Sequence, residues 1–96
     1  MKVRVLESAR EDLREGHRFY EQQHEGIGDY FLDMLSAEID SLALYGGIHA
    51  MRSGYHRMLS VRFPFAVYYR IEHGEVVVRA VLDCRRDPTW IQKRLT

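Results

Sequence analysis

A chain of 96 residues, 46% hydrophobic and 29% charged, has room for one domain with one modest core, and this mixture excludes a disordered tract and a membrane-embedded chain alike. Its net charge of zero conceals a segregation: residues 1–51 carry five Lys or Arg against ten Asp or Glu, whereas residues 52–96 carry nine against four, so an acidic half precedes a basic one. The single cysteine, Cys84, excludes an internal disulfide and a thiolate-rich zinc site, and the five histidines lack an H-x-x-x-H spacing, so neither a metal nor a cofactor is expected.

Lys2 to Leu6 alternates with period two, which predicts a first strand; Met1-Lys-Val-Arg-Val5 therefore reads as structure rather than the start of a signal peptide. No apolar stretch approaches the roughly 20 residues a spanning helix needs. A cytoplasmic protein without membrane contact is expected. Ser8-Ala-Arg-Glu11 matches the S-x-x-E capping box, in which serine and glutamate satisfy each other's backbone N–H groups, and predicts a helix over 9–24 with Ala9, Leu13, Gly16/His17 and Tyr20 on one stripe. Glu25-Gly-Ile-Gly28 breaks it. Ile27, Phe31, Met34/Leu35, Ile39 and Leu42 then recur at helical spacing, with Asp29, Asp33, Glu38 and Asp40 facing away, until Tyr45-Gly46-Gly47 stops the second helix. So short a link makes the two helices a hairpin.

Residues 47–54 read as a loop, followed by strands at about 55–62, 65–72 and 75–83, separated by Arg62-Phe-Pro-Phe65 and His73-Gly74. After Pro88, residues 89–95 suit one or two helical turns that bring Trp90 and Ile91 back onto the body. Together these elements make a single α+β domain over residues 1–96, order β-α-α-β-β-β: a helix hairpin packed on one face of a small, mainly antiparallel twisted sheet, with a short C-terminal helical turn.

Period two assigns Phe65, Val67, Tyr69, Ile71, Val76, Val78, Ala80 and Leu82 to the helix side, and Ala66, Tyr68, Arg70, Glu72, Val77, Arg79, Val81 and Asp83 to the other. A second face so divided between apolar groups and arginine calls for a partner. Guanidinium forks at strand ends suit carboxylates or phosphates, so Arg57, Arg62, Tyr68, Arg70, Arg79, Arg85, Arg86 and Trp90 are the candidate partner-binding residues. Asp87-Pro88 fixes a turn that aims Arg86. The blander alternatives are an exposed bridge from Arg85 or Arg86 to Asp83 or Asp87, a lid role for Trp90, and a small buried hydrophobe in Cys84.

The segment Ala9-x-x-Asp12-Leu13 leading to Tyr20, the string Arg62-Phe-Pro-Phe-Ala-Val-Tyr-Tyr69, the run Val76-Val-Val-x-Ala-Val-Leu82 and the exit Arg85-Arg86-Asp87-Pro88-x-Trp90, in this order and at this length, resemble the RelE/ParE superfamily of type II toxins. The resemblance covers nearly the whole chain. It implies a growth-arresting toxin held inactive in a hetero-oligomer by a cognate antitoxin encoded alongside. RelE-like members cut messenger RNA in the ribosomal A site, and ParE-like members inhibit DNA gyrase without the nuclease residues.

Carried over residue by residue, the lysine pair of RelE-like nucleases falls on Arg57 and Leu59, the arginine of the next strand on Ala66, the late arginine on Arg86 and the C-terminal tyrosine near Gln92. Two of these five positions keep a suitable group. Some relatives use histidine and glutamate instead, and His56, His73 and Glu72 are present. The resemblance therefore leans to the ParE-like branch, a binding protein rather than an enzyme that targets gyrase. The alternative is a metal-independent, ribosome-dependent endoribonuclease with Arg57 and Arg86 as catalytic residues. A module that binds nucleic acid directly is disfavoured by zero net charge and the lack of a basic helix.

Overall fold

The period-two run at the start of the chain forms β1 (Lys2–Val5) in a computed structural model that describes residues 1–96. It leads directly into α1 (Glu7–Gln23), because the Leu6 N–H still donates to the Val78 carbonyl and extends the sheet ladder up to the helix. That leaves no place for the expected capping box. Leu6 is the N-cap, without a side-chain bond, and Ser8 lies inside the first turn, where its hydroxyl donates to the Arg79 carbonyl (2.8 Å).

Gly26, at φ 90°, turns the chain into α2 (Ile27–Tyr45), and the cap for this helix comes from its neighbour: the Glu21 carboxylate accepts the Gly26 and Gly28 N–H groups, each at 2.9 Å. The hairpin closes on two glycines. A Cβ on Gly28 would lie 2.6 Å from the His17 carbonyl oxygen, and one on Gly16 would lie 2.5 Å from the Phe31 ring. In an open helix, Gly→Ala is favourable by roughly 1 kcal/mol. Gly28→Ala is expected to reverse that sign and destabilise the fold by about 3 kcal/mol, since a backbone carbonyl has no rotamer to escape to. Urea denaturation of the variant measures it.

The remaining strands are β2 (Met51–Arg52), β3 (Tyr55–Leu59), β4 (Phe65–Glu72) and β5 (Glu75–Asp83), and the sheet order is β1-β5-β4-β3-β2. All neighbours run antiparallel except β1 and β5, which are parallel. The β3–β4–β5 meander matches the sequence-based expectation, with β3 ending at Leu59 rather than near residue 62. β2 was unforeseen in the segment read as a loop. Ser53 and Gly54, at φ 57° and 83°, make the same kind of two-residue turn as His73 and Gly74, at 51° and 76°.

Side chains past the middle of β5 face the other way from the simple alternation. Tyr68 pairs with Ala80 but Tyr69 pairs with Val78, so Arg79 is an extra residue in a bulge. Beyond it, Val81 turns to the helices while Ala80 and Leu82 join the opposite face. On the helix side, Phe31, Leu35, Ile39 and Leu42 of α2 pack against Val67, Tyr69, Val76 and Val78, and Tyr20, Phe31, Phe63 and Phe65 form an aromatic cluster beside them.

The opposite face is not bare. The last helix, α3 (Pro88–Leu95), begins on an Asp87 cap that accepts from the Thr89 N–H (2.7 Å), and it lays Leu95, Ile91 and Trp90 over Tyr55, Ala66, Tyr68, Ala80 and Leu82. Tyr68, expected to meet a partner, is 2% exposed beneath it. Two ties hold α3 down: Arg94 donates to both carboxylate oxygens of buried Asp12 on α1, and Arg79 donates to the Arg94 carbonyl (3.1 Å). No helix is long and apolar enough to cross a membrane.

Candidate functional site: a cleft of three arginines

The β2–β3 hairpin, the middle of β3 and the turn after β5 meet at one end of α3, around a cleft of about 300 Å³. Each contributes one cation: Arg52 from β2, Arg57 from β3 and Arg86 from the turn. No acidic side chain lines the cleft, and none of the three arginines is in an ion pair. Like charges brought together without counter-charge repel one another, so the arrangement favours an incoming anion.

Arg57 is half-buried and its Nε donates to the Tyr68 hydroxyl (3.3 Å), which fixes its fork at the cleft floor beside the Cys84 thiol. Arg86 is exposed but not loose. Its guanidinium lies 3.7 Å from the centre of the Trp90 ring, a cation–π contact that uses the flat face and leaves the in-plane N–H groups free. Trp90 thus acts both as part of the lid and as the platform for the cation. Ser53 donates to Gln92 (2.8 Å) and ties the hairpin carrying Arg52 to α3.

Of the eight residues expected to contact a partner, Arg57, Tyr68 and Arg86 converge here, with Trp90 as support. Arg52 was missed, because its strand is only two residues long and shows no alternation. Arg85 follows the bland alternative: it grips Asp83 through Nε (3.0 Å) and Nη2 (2.8 Å), and this hydrogen bonding holds the Asp83 carboxyl below its ordinary pKa. Arg79 is spent on Ser8 and the Arg94 carbonyl. Arg70 lies over the Tyr55 ring at 4.0 Å and donates to the Gly54 carbonyl (3.1 Å), beside Glu72 in a separate depression. Arg62 is exposed in the β3–β4 connection.

The histidines are elsewhere. His56 stacks on Tyr69 on the helix side of the sheet, and His73 occupies the β4–β5 turn. The cleft therefore offers three guanidinium groups, a phenol and a thiol, with no imidazole or carboxylate among its lining residues. Spacing within one helix also missed a mixed constellation: His17, Glu21 and Asp29 bring donor atoms within 4.8 Å of one another across the helix hairpin. There His17 Nε2 is bonded to Asp29 (2.9 Å) and Glu21 caps α2, so the group staples the two helices.

No family model matches the chain, and no curated protein does. Among solved structures it is similar to one of the chromosomal ParDE TA system from P. aeruginosa, with a TM-score of 0.74 over 84% of this chain and 92% of that one. The two chains share a fold. The likeness rests on shape, since the sequences are 16% identical, and it agrees with the RelE/ParE resemblance carried by the Phe63-Pro64-Phe65 turn and the Arg85-Arg86-Asp87-Pro88 exit.

Proposed function

We propose that this chain is the toxin of a type II toxin–antitoxin system, of the ParE-like kind, which acts by binding DNA gyrase in the cytoplasm and is neutralised by a cognate antitoxin. The fold shared with a ParDE structure supports the class. The observation that carries the mode of action is the composition of the cleft: three arginines outside any ion pair suit an acidic protein segment, whereas of the five positions of the RelE-like nuclease set only Arg57 and Arg86 keep a cation. The antitoxin seats carboxylates of an otherwise disordered tail among Arg52, Arg57 and Arg86, and such a tail needs a wide contact area to offset its ordering entropy.

Co-expression with the product of the adjacent small reading frame is the first test, and a stable complex is the expected result. Induction of the chain alone is expected to arrest growth with loss of DNA supercoiling before any loss of translation. One observation favours a second reading: Arg57 and Arg86, the catalytic pair of a RelE-like endoribonuclease, do share the cleft, with the Tyr68 hydroxyl between β3 and the turn. Ribosome-dependent transcript cleavage that Arg86→Ala abolishes, with supercoiling intact, selects that reading instead.

A further inference from the structure

The loop between α2 and β2 hangs on a single phenol. The Tyr69 ring is fully buried, yet its hydroxyl accepts the Gly47 N–H (2.9 Å) and meets His49 Nδ1 at 2.5 Å. With the Gly47 N–H already on the phenol oxygen, we assign the phenol hydrogen to His49 Nδ1, which makes that nitrogen the unprotonated one of the ring. His56, stacked on Tyr69 with centroids 5.0 Å apart, donates from Nδ1 to the His49 carbonyl (2.6 Å). Two side chains of the sheet thus pin the loop at Gly47, at the His49 ring and at the His49 carbonyl.

We propose that protonation of His49 releases residues 46–52 from the sheet and withdraws Arg52 from the cationic cleft, so that mild acid weakens the cleft's hold on an anionic partner. An Nδ1–H would point at a phenol oxygen that already takes the Gly47 N–H, and the phenol hydrogen would lose its acceptor in a buried position, at the cost of an unsatisfied polar group. What then remains on the sheet side is the His56 bond to the His49 carbonyl and the pairing of a two-residue strand. β2 pairs with β3 through Met51 and Arg52 alone, helped by the Arg57 N–H to the Ala50 carbonyl (3.0 Å) and the Ser53 bond to Gln92.

The groups that face His49 set the sign. β3 presents His56, β4 presents the Tyr69 phenol, and β5 presents the apolar Val76 against Gly46; no carboxylate bonds to either imidazole. Burial first, and the charge of His56 second, hold His49 below its ordinary pKa of 6.5. The neutral ring is therefore the folded form. Its contribution is complete above 6.5 and is lost as pH falls through the lowered value.

Amide hydrogen exchange and imidazole titration by NMR on the full chain test the switch, whatever anion fills the cleft. Between about pH 7.5 and about pH 5, the span in which histidine titrates, the protection factors of the Gly47 and Arg57 amides are expected to fall at least tenfold. The fall should follow the midpoint of the His49 ring while β4–β5 amides hold. His49→Gln keeps an oxygen that accepts from Tyr69 and cannot titrate, so its loop should stay protected throughout. Loop amides that remain protected after His49 has titrated, that follow the His56 midpoint instead, or that open equally in His49→Gln overturn the proposal. Should that variant fail to fold, the two midpoints in the unaltered chain decide the matter alone.

Discussion

Asp12→Ala is expected to remove about 3–5 kcal/mol of stability and to lift α3 off the sheet before the rest unfolds. Asp12 is 9% exposed, and it is the one buried charged residue in the chain. Burial holds its carboxyl above the ordinary range, while the Val81 N–H and the Arg94 guanidinium pull the other way. The carboxylate is thus costly where it is and is kept by its bonds. Alanine would leave Val81, just past the bulge, with an orphaned N–H, and Arg94, whose side chain is 26% exposed, without a counter-charge.

The folded state holds the Asp12 proton to a higher pH than the unfolded chain does, so the proton-linked part of stability is greatest below the ordinary value of 3.8 and falls as pH rises through the raised folded value, while the bonds from Arg94 and Val81 are what alanine removes at neutral pH. Trp90 is the only tryptophan and rides on α3, so its emission reports the lid directly. A red-shifted spectrum in Asp12→Ala without denaturant, together with a lower urea midpoint, is the expected pair of results. A loss under about 1 kcal/mol with unchanged emission would mean that the apolar contacts of Leu95 and Ile91 hold α3 alone.

Long periodic elements were legible in the sequence because one residue's placement repeats in the next turn or pleat. The stripe from Phe31 to Leu42 and the turns at Gly26 and Gly74 need no knowledge of the tertiary structure. What escaped depends on contacts distant in sequence. The bulge at Arg79 is specified by Ser8 and the Arg94 carbonyl, 71 and 15 residues away, and everything after it changes face. Asp12 lies between Ala9 and Gly16 on the buried side of α1, and nothing local announces that Arg94 will reach it.

The same logic explains why two of the three cleft arginines were visible. Arg57 and Arg86 stand out because each interrupts or ends an apolar strand, whereas Arg52 enters the cleft only once Ser53-Gly54 folds its two-residue strand back onto β3. Tyr68 was assigned to the correct face by its period but not to its cover, since an eight-residue helix beginning at Pro88 carries too short a stripe to reveal what it lies against.

Reversing charge in the cleft is expected to have the largest effect on binding. Arg86→Glu should weaken the antitoxin complex by about a hundredfold or more, because truncating one side of a desolvated charge pair costs roughly 2–5 kcal/mol and the new carboxylate repels the partner's own. Arg86 is exposed, so the variant should fold as the unaltered chain does; Arg57→Glu also loses the bond to Tyr68 and needs a thermal-melt control. Arg86→Lys separates charge from shape: it keeps the cation but gives up the planar fork and its stacking on Trp90, so it should restore only part of the affinity. Arg62→Glu, outside the cleft, should change the Kd less than about threefold, the size expected of a rim charge. Calorimetry at two salt concentrations measures all four. Equal affinities across the set would take the antitoxin off the arginine cleft, whereas tighter binding by Arg86→Glu would place a cationic segment in the neighbouring groove that Arg86 shares with Glu15, Phe19 and Asp83.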